Sequence, residues 1–454
     1  MRKPASCAGC PLYGDGQGFV PDEIREGAAV MVVGQNPGAD EEAEGRPFVG
    51  KTGQMMDQKY LRDAGLARDS ISVGNAIRCR WKGTNDLPPI HQTLSRDALA
   101  HCARAHLRIP DGTRLIVAQG DYAAVQLTGG TVSDGDKSTG WRGYLRPRSQ
   151  AQHGPISEPW VPTRGDVPVL LTVHLARLFR EPWYTLPTRL DWAKVPRILS
   201  GKWPRKPPKF HLKAPQAWPE AFAFDTEFWH EEGTAPTSAR LTRWSASWGT
   251  GDGETCVIES GGIVPRLSES ASTRPRVITQ YAPADVHHLA RMMGMDWRDA
   301  VWNSYLIEDT VWKHAVLWSD HPHDLNYLGS LYSSFNRWKH LADTDPVLYS
   351  GLDAVGLLEV DQALGRELDA DPASRRVWET IDRPALREFV RAQYRGLRTD
   401  PQRVKEVVSL LQGVATEASL KAQAIAGWPI NVGSPSQVAQ RLYAIEGLRP
   451  KRRV

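Results

Sequence analysis

No stretch of this chain stays apolar for the roughly 18 residues that span a bilayer. Its first residues, Met1-Arg2-Lys3-Pro4-Ala5-Ser6-Cys7, also lack the apolar centre of a secretion signal. No membrane partner is expected, and a cytoplasmic location is. Excess charge is scarce too: 56 Lys and Arg against 52 Asp and Glu leave a net +4, which permits a nucleic-acid partner without requiring one. No segment repeats, so the length is not built from copies of one unit. Cysteine is rare, five in 454 residues, which argues against a disulfide framework in a reducing compartment. Yet only Cys256 lies beyond residue 102, and the clustering of the other four points to a metal or cluster site.

What is present reads as α/β sequence in more than one domain, since 454 residues exceed a single compact core. Ala28–Val33, Leu115–Ala118 and Val167–Val173 are short apolar runs suited to buried parallel strands. Gly- and Ser-rich sequence from about Gly129 to Arg164 predicts a long irregular insertion. Five prolines among basic residues between Trp203 and Pro219 predict a semi-rigid linker. The expected division is residues 1–202, a linker over 203–219, a second α/β domain over 220–370 and a helical region over 371–454.

Cys7, Cys10, Cys79 and Cys102 supply four thiolates, which on ligand chemistry alone suit zinc or a [4Fe–4S] cluster equally. The ordered motifs around them are more specific. Gly34-Gln35-Asn36-Pro37-Gly38, Gly45-Arg46-Pro47-Phe48-Val49-Gly50 and Asn75-Ala76-Ile77-Arg78-Cys79 together resemble the family-four uracil-DNA glycosylases, over roughly residues 1–200. The resemblance implies a three-layer α/β glycosylase fold and a [4Fe–4S] cluster on the four cysteines. It also implies that Phe48 stacks on uracil, that Asn75 hydrogen-bonds its polar edge, and that Gln35 and Asn36 reach the sugar. His174 stands where that family has a His-Pro motif, with Leu175 in place of the proline. A histidine there would stabilise charge developing on the uracil oxygen.

Two departures leave the fate of uracil open. The family usually has Glu where this chain has Gln35, which can neither act as a base nor carry charge. Asn36 compensates if the loop works as in the mismatch-specific uracil and thymine glycosylases, whose Gly-Ile-Asn-Pro-Gly loop is similar and whose Asn positions water. His91, in Ile90-His91-Gln92-Thr93-Leu94-Ser95-Arg96, resembles the loop histidine that crosslinks to DNA in a set of uracil-binding relatives, although Asn85–Pro89 replaces their Arg-rich run. Imidazole is a competent nucleophile toward an electron-poor sugar carbon. Excision, covalent capture and binding without turnover all remain open at this point.

A second chemistry follows the linker. Asp225 and Glu227 end an apolar strand and share one face of it by the two-residue period. Tyr349 and Asp353 are one helical turn apart. With Asp285 between, and Asp309-Thr310 as a structural element, the order resembles the proofreading 3′–5′ exonucleases of family A DNA polymerases, although Gln280-Tyr281 replaces the usual His-Asn. The resemblance implies a ribonuclease H-like fold and two Mg²⁺ or Mn²⁺ ions on Asp225, Glu227, Asp285 and Asp353, with Tyr349 orienting water.

The sequence after Pro372, including Ile430–Gln437, resembles the start of a polymerase thumb. The expected protein finds uracil in DNA, excises or traps it, and degrades DNA from single-stranded or 3′ ends, as would suit a bacteriophage or bacterial replication system. The alternative is a non-catalytic uracil-binding module that tethers the nuclease to a separate polymerase polypeptide.

Overall fold

The strand Val30–Gly34 (β1) is buried at every residue, and its alternation divides two cores. Val30 and Val32 pack with Leu115, Leu170 and Trp192, whereas Met31 and Val33 face Ile116, Leu171 and Tyr122. A strand apolar on both faces needs cover on both sides, which is what a parallel sheet between helical layers provides. In this computed structural model, which describes residues 2–448 except 83, 133–139, 149–159, 164, 230–238 and 260–273, β1 is an interior strand of a five-stranded sheet. The other strands are Ser72–Asn75 (β2), Leu115–Gln119 (β3), Leu145–Pro147 (β4) and Pro168–Thr172 (β5), in the order β2-β1-β3-β5-β4. All pairs are parallel except β4 with β5. The N-terminal region is thus the expected α/β layer arrangement. Most of the predicted insertion between residues 129 and 164 lies outside the described residues.

A second five-stranded sheet follows, of Ala221–Trp229 (β6), Arg240–Ser247 (β7), Thr255–Glu259 (β8), Arg276–Thr279 (β9) and Leu306–Asp309 (β10). Its order is β8-β7-β6-β9-β10, antiparallel among β6, β7 and β8 and parallel among β6, β9 and β10. The helix Ala282–Met292 (α1) packs Val286 and Leu289 with Phe222 and Phe224 on one face. The 25-residue helix Pro346–Ala370 (α2) packs Leu352 and Val355 with Ala223 and Ile278 on the other.

Residues 1–394 form one compact unit and 395–454 a second. The stretch 203–219, expected as a semi-rigid linker, lies within the first of these units. Its backbone is irregular but bonded: Arg205 donates to Ser334 O, and His211 pairs with the strand β8. Trp203 is buried, its Nε1 donating to Ser333 O at 3.1 Å. The first sheet also meets the second α/β region directly. Leu145, on the edge strand β4, has both backbone groups bonded by Asn336, at 2.9 Å each, so that a sheet edge is closed by a side-chain amide. The helix Arg383–Arg395, expected in the tail, instead places Leu386 and Val390 in the core beneath the second sheet. Its strong apolar stripe needs that burial.

The second unit is built around the helix Pro401–Ala426, started by the Asp400 side chain on the amides of Gln402 and Arg403 and stopped by Gly427 at φ 73°. Short helical turns follow over Pro435–Ala439 and Gln440–Ile445. No helix among the described residues is long and apolar enough to cross a membrane.

Candidate functional site

Parallel strands that end together release their loops on one side, and in the first sheet those loops enclose a cavity of about 580 Å³. Gln35 and Asn36 follow β1, Asn75 ends β2, and His174 follows β5; all four line the cavity with Phe48. Gly34 permits this closeness. A Cβ at that residue would stand 2.6 Å from Asn75 Oδ1 and 2.7 Å from Phe48 Cζ. Phe48 adopts φ 55°, a left-handed conformation that costs about 1–3 kcal/mol and marks functional sites when the surroundings enforce it. Here the enforcement comes from Glu41, whose carboxylate accepts from the backbone amides of Gly38 and Phe48, and from Arg68, which donates to Pro47 O at 2.7 Å.

The Asn36 amide nitrogen donates to Pro37 O at 3.1 Å and Asn85 O at 3.4 Å, leaving its oxygen to hold a polar ligand. Gln35 packs against Gly120, where a Cβ would lie 2.3 Å from its Nε2. His174 Nδ1 accepts from the Ala176 amide at 3.3 Å, so Nε2 carries the proton of the neutral ring. Burial, reinforced by Arg180, pushes its pKa down to about 4. Nε2 is thus a neutral donor at ordinary pH.

A consequence follows for stability. The histidine is neutral in the fold down to about pH 4 but would protonate near 6.5 in the unfolded chain. Unfolding therefore takes up a proton between these values, and the protein is expected to lose stability as pH falls from about 6.5 to 4. A His174→Gln variant should show a flatter melting profile across that window; an unchanged profile would mean the ring does not titrate as described.

Sequence reasoning missed several residues at this cavity. Glu41, Arg142, Arg177 and Arg180 also line it, the last two one helical turn apart beyond His174, a spacing legible in hindsight. Arg142 had no local signal. It is nearly buried, bonded to Asp191 at 2.7 Å and to Ser330 of the second α/β region. His91 is not brought here. It stands exposed in a turn before the helix Thr93–His106, outside the cavity lining.

The four thiols of Cys7, Cys10, Cys79 and Cys102 line a separate apolar hollow, closed by Leu12, Phe19 and Ile77. None is in a disulfide. Burial first, and then the neighbouring thiols, push Cys79 up to about 12, a cost that a cationic metal core would offset. Tetrahedral zinc, with bonds of about 2.3 Å, would draw the sulphurs to within about 4 Å of each other. No three of these described thiols lie within 4.8 Å of one another, so the site fits a larger, multinuclear group.

On the second sheet, Asp225 and Glu227 of β6 meet Asp353 of α2, with ligand oxygens all within 4.8 Å. Asp225 Oδ2 is buried without a hydrogen-bond partner among the described residues. Burial, then the facing Asp353 and Asp285 carboxylates, hold Asp225 well above the usual carboxylate range. Burial and Asp353 likewise raise Glu227. Crowded carboxylates, one oxygen of which has no partner among the described residues, are what a hard divalent cation takes.

Asp285 is not in that group. From the first turn of α1 it accepts from Thr226 Oγ1 at 2.7 Å. Tyr349 stands beside the group, with Lys339 Nζ 3.2 Å from its hydroxyl. Asp309 caps the helix after β10 and accepts from the Ala282 and Trp312 amides, the structural part expected of it. A cavity of about 590 Å³ adjoins, lined by Gln280, Tyr281, His323, Lys339 and Tyr349.

Residues 21–189 match the Uracil DNA glycosylase superfamily. The type-4 uracil-DNA glycosylase of Sulfurisphaera tokodaii is 35% identical over 98 residues, 22% of this chain and 41% of that protein. That of Archaeoglobus fulgidus is 30% identical over 126 residues, 27% of this chain and 59% of that protein. The chain thus spans about half the length of the curated relatives it matches. Among solved structures, Brucella melitensis NrnC with bound Mg²⁺ is similar over 41% of this chain and 89% of that one, at 18% identity and a TM-score of 0.30.

Proposed function

We propose that the N-terminal domain takes uracil out of DNA and releases it by hydrolysis, and that the second α/β region removes nucleotides from DNA 3′ ends. The observation that carries the first half is the convergence of Gln35, Asn36, Phe48, Asn75 and His174 on one cavity within the segment that matches the glycosylase superfamily. A uridine flipped from the stack would lie against Phe48 with its polar edge on Asn75. Water held at the Asn36 oxygen attacks the sugar C1′, the C1′–N1 bond breaks, and its electron pair leaves with uracil. His174 Nε2–H steadies that charge, and the proton lost by the water ends on the base. Arg177 and Arg180 at the rim suit backbone phosphates. The exposed position of His91 favours hydrolysis over covalent capture.

A [4Fe–4S] cluster would be held by Cys7, Cys10, Cys79 and Cys102, tying the N-terminal segment, the loop after β2 and the helix Thr93–His106 together. In the second region, the sheet order, the three clustered carboxylates and Tyr349 support a ribonuclease H-like nuclease. A divalent ion bound there would activate water and stabilise the leaving 3′-oxygen. Asp225, Glu227 and Asp353 would hold it, and Tyr349 would align the water. A tie to a separate polymerase would rest on the helical second unit.

The test is end-labelled single-stranded DNA with one uracil, incubated with the protein in EDTA and run on a denaturing gel with and without alkali. An alkali-labile break is expected. A heat-stable protein–DNA band that disappears in His91→Ala would replace hydrolysis by covalent capture. Retention of intact DNA that shifts on a native gel would leave only uracil binding.

A further inference from the structure

We propose that Arg78 and Asp22 are positioning residues that hold Asn75 in place from the side of the cysteine hollow. The inference rests on the glycosylase reading, in which Asn75 reads the base, and names what fixes that side chain. Arg78 is buried, follows Asn75 closely in the chain and lines the hollow of the four cysteines. Its Nη1 donates to Cys102 Sγ at 3.8 Å and to Ala76 O at 3.3 Å. Its Nη2 donates to Asp22 Oδ2 at 2.6 Å and to His106 O at 3.4 Å. One rigid guanidinium fork thus joins a thiol of the cysteine group, the last residue of the helix Thr93–His106 and a buried carboxylate.

Asp22 carries the tie onward to the cavity. Its side chain is only 6% exposed and lies against β2, where a Cβ on Gly74 would stand 2.2 Å from Oδ1. Burial pushes its pKa up, while Arg78 and the Asn75 backbone amide favour the charged form. The carboxylate therefore depends on both neighbours, one at the hollow and one at the end of β2. The backbone around it is registered on the same strand. Val20 donates to Arg78 O at 2.8 Å, and Glu23 and Val73 exchange bonds at 2.8 and 3.0 Å. From there the Asn75 side chain enters the first cavity beside Phe48. A buried ion pair costs desolvation that apolar packing would avoid, so what this one supplies is a fixed geometry at Asn75.

The experiment compares wild type, Asp22→Asn and the double variant Asp22→Asn with Arg78→Met, with iron content and melting temperature as checks on folding. The double variant removes both charges, so that neither is left buried alone. Three readings are taken: uracil release by alkali-labile cleavage, amide hydrogen exchange over residues 72–79, and the midpoint potential of the bound cluster. Asp22→Asn is expected to keep its iron and to exchange faster over residues 72–79. It should release uracil about 100-fold more slowly at saturating DNA, with half-saturation little changed. The double variant should be no slower than Asp22→Asn, because both residues act through one path. Its cluster potential should fall below that of Asp22→Asn, since a cationic donor to a ligand sulphur is lost.

If Asp22→Asn alone does not fold, the same readings are compared between the double variant and wild type. Uracil release within about threefold of wild type, with exchange over residues 72–79 unchanged, would overturn the inference. So would a further loss of about 10-fold on adding Arg78→Met, or a cluster potential indifferent to Arg78. These results leave the glycosylase reading standing. If the wild type releases no uracil, that reading fails, whereas exchange and potential still decide whether Arg78 and Asp22 hold Asn75.

Discussion

Asp225→Asn is expected to cut nucleotide release from 3′ ends by about 10³-fold while leaving the response to uracil intact. The substitution keeps the shape of the side chain and removes only its charge. Asp225 contributes the buried, unpartnered oxygen of the three-carboxylate group, and an amide there cannot balance a divalent ion. The sign of the stability effect separates this from simple damage. Burial and the facing acids raise the Asp225 pKa, so in the metal-free protein its charge is a burden. Asp225→Asn should therefore melt higher than the wild type in EDTA, by about 2–4 °C for each kcal/mol of repulsion relieved. Loss of turnover with a raised melting point identifies a cation-binding carboxylate. Unchanged nucleotide release would remove the acidic centre from the chemistry altogether.

Gly34→Ala should abolish uracil handling almost as completely, although it adds one methyl to a residue that touches no substrate. The new Cβ would meet Asn75 Oδ1 and Phe48 Cζ at under 3 Å, so one of them must move. Phe48 has little freedom, because its left-handed backbone is pinned through Glu41 and Arg68. A shift of about 1 Å in a positioning side chain costs on the order of 10²-fold in rate. Overpacking adds about 1–3 kcal/mol of destabilisation. Uracil release measured by alkali-labile cleavage should fall by about that factor, with nucleotide release from 3′ ends unaltered as the internal control. Full uracil release in Gly34→Ala would mean that Phe48 and Asn75 do not jointly hold the base.

The two outcomes are expected to be independent although the two regions are joined by buried bonds. Lys194, buried in the first, donates to Gly143 O of its own region and to Ser330 O of the second. Arg142, at the first cavity, bonds Ser330 as well. The stretch 203–219 was expected as a linker because prolines and basic residues are local properties. What the sequence does not display is that Trp203 and Trp218 each have a buried place waiting in the packed fold. Proline sets the backbone, but a buried indole decides whether it is free.

The sequence by itself determined whatever depends on short-range periodicity and order. The strand β1 is apolar on both faces, so a covered parallel sheet follows. Asp225 and Glu227 share a strand face, and Tyr349 and Asp353 share a helix face, because side-chain direction is fixed by the local backbone. The resemblance carried by the ordered motifs pointed to Gln35, Asn36, Phe48 and Asn75 of the first cavity, but not to Glu41, Arg142, Arg177 or Arg180. Only the tertiary structure decided which groups converge. Lys339 lies 14 residues before Asp353 and reaches it solely because a short turn folds back onto α2. Asp285 has the expected place in sequence order but is drawn to Thr226. His91 follows a suggestive motif yet is exposed and not among the residues that line the cavity. Distances between residues far apart in the chain depend on how whole elements pack, and that information is spread over the core rather than written beside the residues it positions.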